Sequence, residues 1–200
     1  DLFIAGTDTT SATIEWVMAE LLHNPSKLAI AKNELKDVVG DKMRIEESDT
    51  LNLPYLMSVI KEALRLHPVG PLLVPRMASI DVEINGYTIP KNAHILVNVW
   101  AYGRDGRVWE NPESFIPERF LDSNIDLKGH NFELIPFGSG RRRCPGMSLA
   151  LRVVPLVVGS MIRDIDWELE DGTPPEKMDM NDHYKFSLQK LIPLKAIPNR

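Results

Sequence analysis

The sequence predicts a mainly α fold with small β-sheets. Three observations carry that expectation. Long stretches at 1–22, 26–39, 56–66 and 147–163 hold apolar residues at helical spacing. One hairpin signal, Asn85-Gly86, sits inside the alternating stretch 81–90. The 15 prolines fit a loop-rich chain better than disorder. With 200 residues the chain is long enough to bury a core.

In chain order, residues 1–22 read as one helix ending near Asn24-Pro25. Asn24 suits the cap of the next helix and Pro25 its first position. The amphipathic stretch 26–39 stops at Gly40. A third helix, 56–66, is closed by His67-Pro68. Residues 94–99 read as a further strand, and 121–136 as an ordered loop. Residues 147–163 read as an apolar helix, kinked at Pro155, where the bond to the Leu151 carbonyl is lost. The tail 185–196 reads as short strands with turns. No internal repeat, low-complexity tract or domain boundary is evident, so 1–200 reads as part of one domain.

Composition narrows the function classes. A net charge of −5 does not suit a nucleic-acid partner. No apolar run reaches the roughly 18 residues of a membrane span. The single cysteine, Cys144, forms no disulfide within the chain, and the five histidines (23, 67, 94, 130, 183) lack zinc-ligand spacing.

Cys144 lies in FGSGRRRCPG, 137–146, the most informative stretch. Glycines at 138, 140 and 146 let a backbone lie against a flat ligand, because they carry no Cβ and accept positive φ. Pro145 fixes the chain after the sulfur, and the helical pattern that follows puts Cys144 near a helix N-terminus. That position and three adjacent arginines favour a thiolate. A lone thiolate there suits the axial ligand of a haem iron, with arginines to answer the propionates. The alternatives are a buried structural cysteine beside a solvated basic run, or a nucleophile with a histidine brought near in space.

Phe137, Gly140, Arg142, Cys144 and Gly146 match F-x-x-G-x-R-x-C-x-G, which resembles the haem-thiolate signature of the cytochrome P-450 monooxygenases. AGTDTT at 5–10, EALR at 62–65 and PERF at 117–120 resemble the same family in the same order. The phrasing of 109–120 and 136–146 is most similar to plant microsomal terpenoid hydroxylases of the geraniol hydroxylase and ferruginol synthase kind. The family fold is more than twice this length. The chain therefore reads as a C-terminal part, lacking the membrane anchor, early helices and much of the substrate pocket.

The resemblance implies haem b, ligated by Cys144 and cradled by Phe137, Gly140, Arg142 and Gly146, with Arg76 at a propionate. It implies that Asp8 and Thr9 relay protons to iron-bound oxygen; the Thr9 hydroxyl is expected to bond the carbonyl four residues back and open the helix locally. It implies a buried structural network of Glu62, Arg65 and Arg119 that positions the cysteine loop. Ala5, Val69, Leu72, Leu73 and Phe186 fall in stretches that line the family's pocket, although ordinary core is an equal reading. The implied partners are dioxygen, a small lipophilic substrate and an NADPH-dependent cytochrome reductase, at the cytosolic face of the endoplasmic reticulum membrane. Two departures stand out: Gly106 replaces a usual proline after GRD, and Lys185 replaces a usual small residue near the pocket. Other readings are a thiolate-haem isomerase or dehydratase, which has no need of the Asp8-Thr9 pair, and a non-catalytic truncated product.

Overall fold

The computed structural model describes residues 2–199, so Asp1, placed in the first helix by the sequence pattern, lies outside them. Five helices form the frame: α1 (Leu2–His23), α2 (Pro25–Val39), α3 (Pro54–Leu66), α4 (Val99–Gly103) and α5 (Met147–Arg163). Between and after them run β1 (Arg76–Met77), β2 (Val82–Ile84), β3 (Tyr87–Ile89), β4 (His94–Ile95), β5 (Asp166–Leu169), β6 (Asp182–Tyr184), β7 (Leu188–Lys190) and β8 (Ala196–Asn199). The strands pair antiparallel as β1–β4, β2–β3, β5–β8 and β6–β7.

The core lies where α1, α2, α3 and α5 meet. Ala31, Leu35 and Val39 recur every four residues on α2 and are buried, so this helix offers one stripe to the core. On α1 every residue from Trp16 to Leu22 is buried, which makes its second half a central rod. Val17, Leu35, Leu56, Val59, Val158 and Ile162 form the fully buried centre. Gly159 lets α5 approach closely: a Cβ there would stand 3.1 Å from Ile45 Cδ1 and 3.4 Å from Leu35 and Leu56 Cδ2. Among the described residues, no helix is long and apolar enough to cross a membrane.

The helix ends differ from expectation in two places. Asn24 does not cap α2 with its side chain; its amide instead donates to the Glu20 carbonyl and carboxylate at 2.9 and 3.1 Å. Helix α3 starts at Pro54, two residues before the predicted start, and its cap comes from α2. The Glu34 carboxylate accepts the Tyr55 and Leu56 amides at 2.6 and 2.8 Å, answering orphan donors of the first turn. Burial raises the Glu34 pKa, opposed by those two amide bonds.

The predicted strand 94–99 shrinks to His94–Ile95, and α4 takes up Val99. The β-branched pattern was overridden by a local cap: Asn98 Oδ1 accepts the Ala101 amide at 3.0 Å. Helix α5 contains Pro155 yet continues unbroken to Arg163. The hairpin β2–β3 turns at Asn85 and Gly86, both at positive φ. In the tail, the hairpin strands lie at 182–184 and 188–190, starting before residue 185, and β5 pairs with β8, from Asp166 opposite Asn199 to Leu169 opposite Ala196, a pairing no local pattern announces.

Candidate functional site

The cysteine loop is a pinned reversal ahead of α5. The Cys144 amide donates to the Phe137 carbonyl at 2.9 Å, closing the loop. Gly138 and Gly140 take φ of 71° and 68°, which the reversal requires. Residues 128 and 129 hold the loop from outside: Arg143 Nη1 donates to the Lys128 carbonyl at 2.7 Å and Ser139 Oγ to the Gly129 carbonyl at 2.6 Å. Gly129 is packed so tightly that a Cβ would meet the Gly138 carbonyl at 2.7 Å. Phe137 is half-buried, and Gly140, Arg142, Cys144 and Gly146 are exposed. The Leu73 side chain reaches Gly138, with its Cδ1 3.6 Å from where a Cβ would stand. Arg76, in β1, is half-buried opposite Ile95. Neither Arg76 nor Arg142 has a side-chain partner among the described residues.

Glu62, Arg65 and Arg119 are brought together. Glu62 and Arg65 are 0% and 1% exposed. Arg65 holds Glu62 bidentately, Nε to Oε2 at 2.7 Å and Nη2 to Oε1 at 2.8 Å. Its remaining donors reach the carbonyls of Gly103, Pro112 (2.6 Å) and Ser114 (3.1 Å). All five guanidinium N–H groups are thereby used. Arg119 Nε and the Ile116 amide complete the Glu62 Oε1 shell at 3.1 and 2.8 Å. The Trp109 ring lies 5.4 and 5.8 Å from the two guanidinium carbons. Gly103 permits the approach: a Cβ there would stand 2.2 Å from the Arg65 carbonyl oxygen. The carbonyl partners come from the end of α4 and the loop after it, 38 to 49 residues away, and were not legible in the sequence.

On α1, Thr9 Oγ1 donates to the Ala5 carbonyl at 2.6 Å, and Thr10 Oγ1 does the same to Gly6 at 2.7 Å. The helix nonetheless runs unbroken through both. Ala5 and Gly6 are exposed, and a Cβ on Gly6 would meet nothing within 4 Å. Asp8 does not bond Thr9. Its carboxylate accepts Ser187 Oγ at 2.5 Å and Gln189 Nε2 at 3.2 Å from the far end of the chain. Sequence reasoning missed both partners; the only local signal was two polar residues flanking Leu188, one in the hairpin bend and one on β7.

The apolar stretch 69–74 meets the C-terminal hairpin through its backbone. The Leu188 amide donates to the Val69 carbonyl at 2.9 Å, and Trp16 Nε1 to the Leu188 carbonyl at 3.1 Å. Val69, Leu72 and Leu73 are half-buried, Leu73 at φ 51°, and Phe186 is 62% exposed at the hairpin tip beside exposed Lys185. Beneath them Trp16 stacks flat on His67, centroids 3.8 Å apart, and His67 Nε2 meets Glu20 Oε1 at 2.7 Å. Burial lowers the His67 pKa more than Glu20 raises it. Burial likewise lowers Lys190, whose ammonium lies over Trp16 at 5.2 Å. An open cleft of about 250 Å³ elsewhere, lined by Leu169, Met178, Lys190 and Leu194 among others, takes in none of the predicted site residues.

Residues 1–193 match the family model described as cytochrome P-450. The chain belongs to the cytochrome P-450 family. It is 53% identical over 197 residues to a geraniol 8-hydroxylase of Swertia mussotii, covering 98% of this chain and 40% of the relative. It is 52% identical to a ferruginol synthase of Isodon rubescens, covering 100% of this chain and 40% of the relative. A zebra fish cytochrome P-450 solved with progesterone superposes with a TM-score of 0.85 at 34% identity, over 99% of this chain and 44% of that one. The chain thus spans about 40% of the length of these curated relatives. Cytochrome P-450 enzymes carry haem held by a cysteine thiolate.

The residues here fit that group. The one thiol is exposed on a loop where a Cβ on Gly140 would meet nothing within 4 Å, and Arg76 and Arg142 have no side-chain partner among the described residues. Exposed apolar side chains Phe3, Val74 and Leu149 offer surface for a flat hydrophobic ligand or further protein to cover.

Proposed function

We propose that the intact protein is a haem-thiolate monooxygenase that hydroxylates a small lipophilic substrate of the terpenoid class. It would use dioxygen and electrons from an NADPH-dependent cytochrome reductase, at the cytosolic face of the endoplasmic reticulum membrane. The observation that carries the reading is the exposed Cys144 in a glycine-rich, arginine-rich loop pinned by two hydrogen bonds to Lys128 and Gly129. The named hydroxylase relatives supply the substrate class.

In this reading Cys144 Sγ would hold the iron, while Phe137, Gly140 and Gly146 would shape the cradle. Arg76 and Arg142 would answer the propionates through charge-assisted hydrogen bonds. Haem, when bound, supplies the oxygen chemistry, and thiolate ligation favours O–O cleavage. Glu62, Arg65 and Arg119 brace the protein that carries the loop and touch no substrate. Asp8 and Thr9 would deliver protons, and Ala5 and Gly6 leave room beside them. Val69, Leu72, Leu73 and Phe186 face the substrate with apolar surface.

The test is full-length enzyme with reductase, offered monoterpene alcohols and phenolic diterpenes, with products identified by mass spectrometry. A hydroxylated product that takes its oxygen from labelled dioxygen supports the reading. A product formed equally well without dioxygen or reductase would replace it with isomerase or dehydratase chemistry.

A further inference from the structure

Asp8 is the titratable member of the proposed proton pair, yet everything that holds its carboxylate comes from 179 or more residues away. Ser187 Oγ donates to Oδ2 at 2.5 Å, and Gln189 Nε2 donates to Oδ1 at 3.2 Å. Gln189 Nε2 also reaches Ser187 Oγ at 3.2 Å, closing a triangle. Ser187 has one hydroxyl proton and directs it at Asp8, while its oxygen accepts from Gln189. Ser187 is 0% exposed, so its hydroxyl has no water to fall back on.

The base of this triangle is itself held. Ser187 and Gln189 flank Leu188, which bonds the Val69 carbonyl with its amide and receives Trp16 Nε1 on its carbonyl. Strand β7 pairs with β6 on its other edge, His183 opposite Gln189. Ser187, in the bend that leads into β7, and Gln189, within β7, both reach the same carboxylate on α1. The hairpin tip next to Ser187 carries exposed Phe186.

We infer that Ser187 and Gln189 are positioning residues that clamp the Asp8 carboxylate and couple it to the hairpin whose tip carries Phe186. The inference rests on the proton-delivery reading of Asp8 given above. The clamp fixes both carboxylate oxygens, so Asp8 presents one orientation instead of sampling several. Because Phe186 precedes Ser187 directly, a substrate that presses on the tip also sets the geometry of the acid. Substrate contact and proton delivery then share one small hairpin.

The experiment uses the full-length, haem-loaded enzyme with its reductase, and reads the ratio of product to NADPH consumed. Ser187→Ala is expected to lower that ratio at least about threefold, as loss of a hydrogen bond to a charged group implies, with normal haem content. Ser187→Thr keeps the hydroxyl and is expected to restore the ratio. Gln189→Leu is expected to give a smaller fall, and it carries the test if Ser187→Ala loses haem. A second readout needs no turnover: backbone hydrogen exchange at 182–190 is expected to quicken in Ser187→Ala and in Asp8→Asn alike, but not in Thr9→Ala. A normal ratio in Ser187→Ala and Gln189→Leu, beside a lowered ratio in Asp8→Asn, overturns the clamp and leaves the role of Asp8 intact. A normal ratio in Asp8→Asn overturns the proton-delivery reading and the clamp's purpose with it.

Discussion

Arg65 and Arg142 are the same residue type in two regions that treat it in opposite ways. Arg65 is 1% exposed and directs five N–H donors at Glu62 and three backbone carbonyls. Arg142 is exposed in a three-residue 3₁₀ turn, with no partner for its guanidinium among the described residues. A buried guanidinium must be satisfied from within, because an unpaired one costs several kcal/mol. An exposed one loses nothing while solvated and keeps its planar fork for a ligand. The two differ in what satisfies them: the protein answers every N–H of the first, and the second is exposed two residues from the single cysteine.

The sharpest way to break this comparison is Glu62→Ala. It strands Arg65, Arg119 and the Ile116 amide at once, and is expected to cost about 3–5 kcal/mol. Urea denaturation of the full-length protein, with haem content measured alongside, checks it. A folded, haem-loaded variant that has lost only turnover would move Glu62 from architecture to chemistry. Next in size is Cys144→Ser in the exposed loop. The fold is expected to survive, since the side chain is exposed, while the red-shifted Soret band of the reduced carbon monoxide complex disappears; its retention would remove Cys144 as the ligand.

Arg142→Ala sharpens the contrast. Stability without ligand is expected to change by no more than about 0.5 kcal/mol, as for ordinary surface sites. Retention of haem during dilution is expected to weaken, and unchanged retention would return Arg142 to the solvated surface. The smallest effect concerns pH. Burial holds the folded-state pKa of His67 below its ordinary 6.5. Below that value the unfolded chain binds a proton that the folded one does not, so stability falls as pH drops through the window beneath 6.5. Replacing His67 with Gln is expected to flatten this slope in urea midpoints measured between about pH 5 and 7.

Much of this was legible in the sequence, for reasons that differ by element. The helices were, because their apolar spacing faces a single core, as Ala31, Leu35 and Val39 show. The Glu62–Arg65 pair was, because three residues apart on a helix is already contact distance. Helix α4 was not: Val97 and Val99 alternate like a strand, and the Asn98 cap decides otherwise. The carbonyl ring around Arg65 and the Ser187–Gln189 grip on Asp8 depend on tertiary approach between segments 38 to 181 residues apart. Nothing local in the sequence encodes such a distance.

The cap that Glu34 places on α3 has a consequence for how the molecule opens. The first turn of the helix carrying Glu62 and Arg65 is finished by a carboxylate from its neighbour α2. If α2 lifts away, the Tyr55 and Leu56 amides lose their acceptor together. The two helices are therefore expected to breathe as one cooperative unit, with matched amide protection along both, in place of fraying independently from their ends.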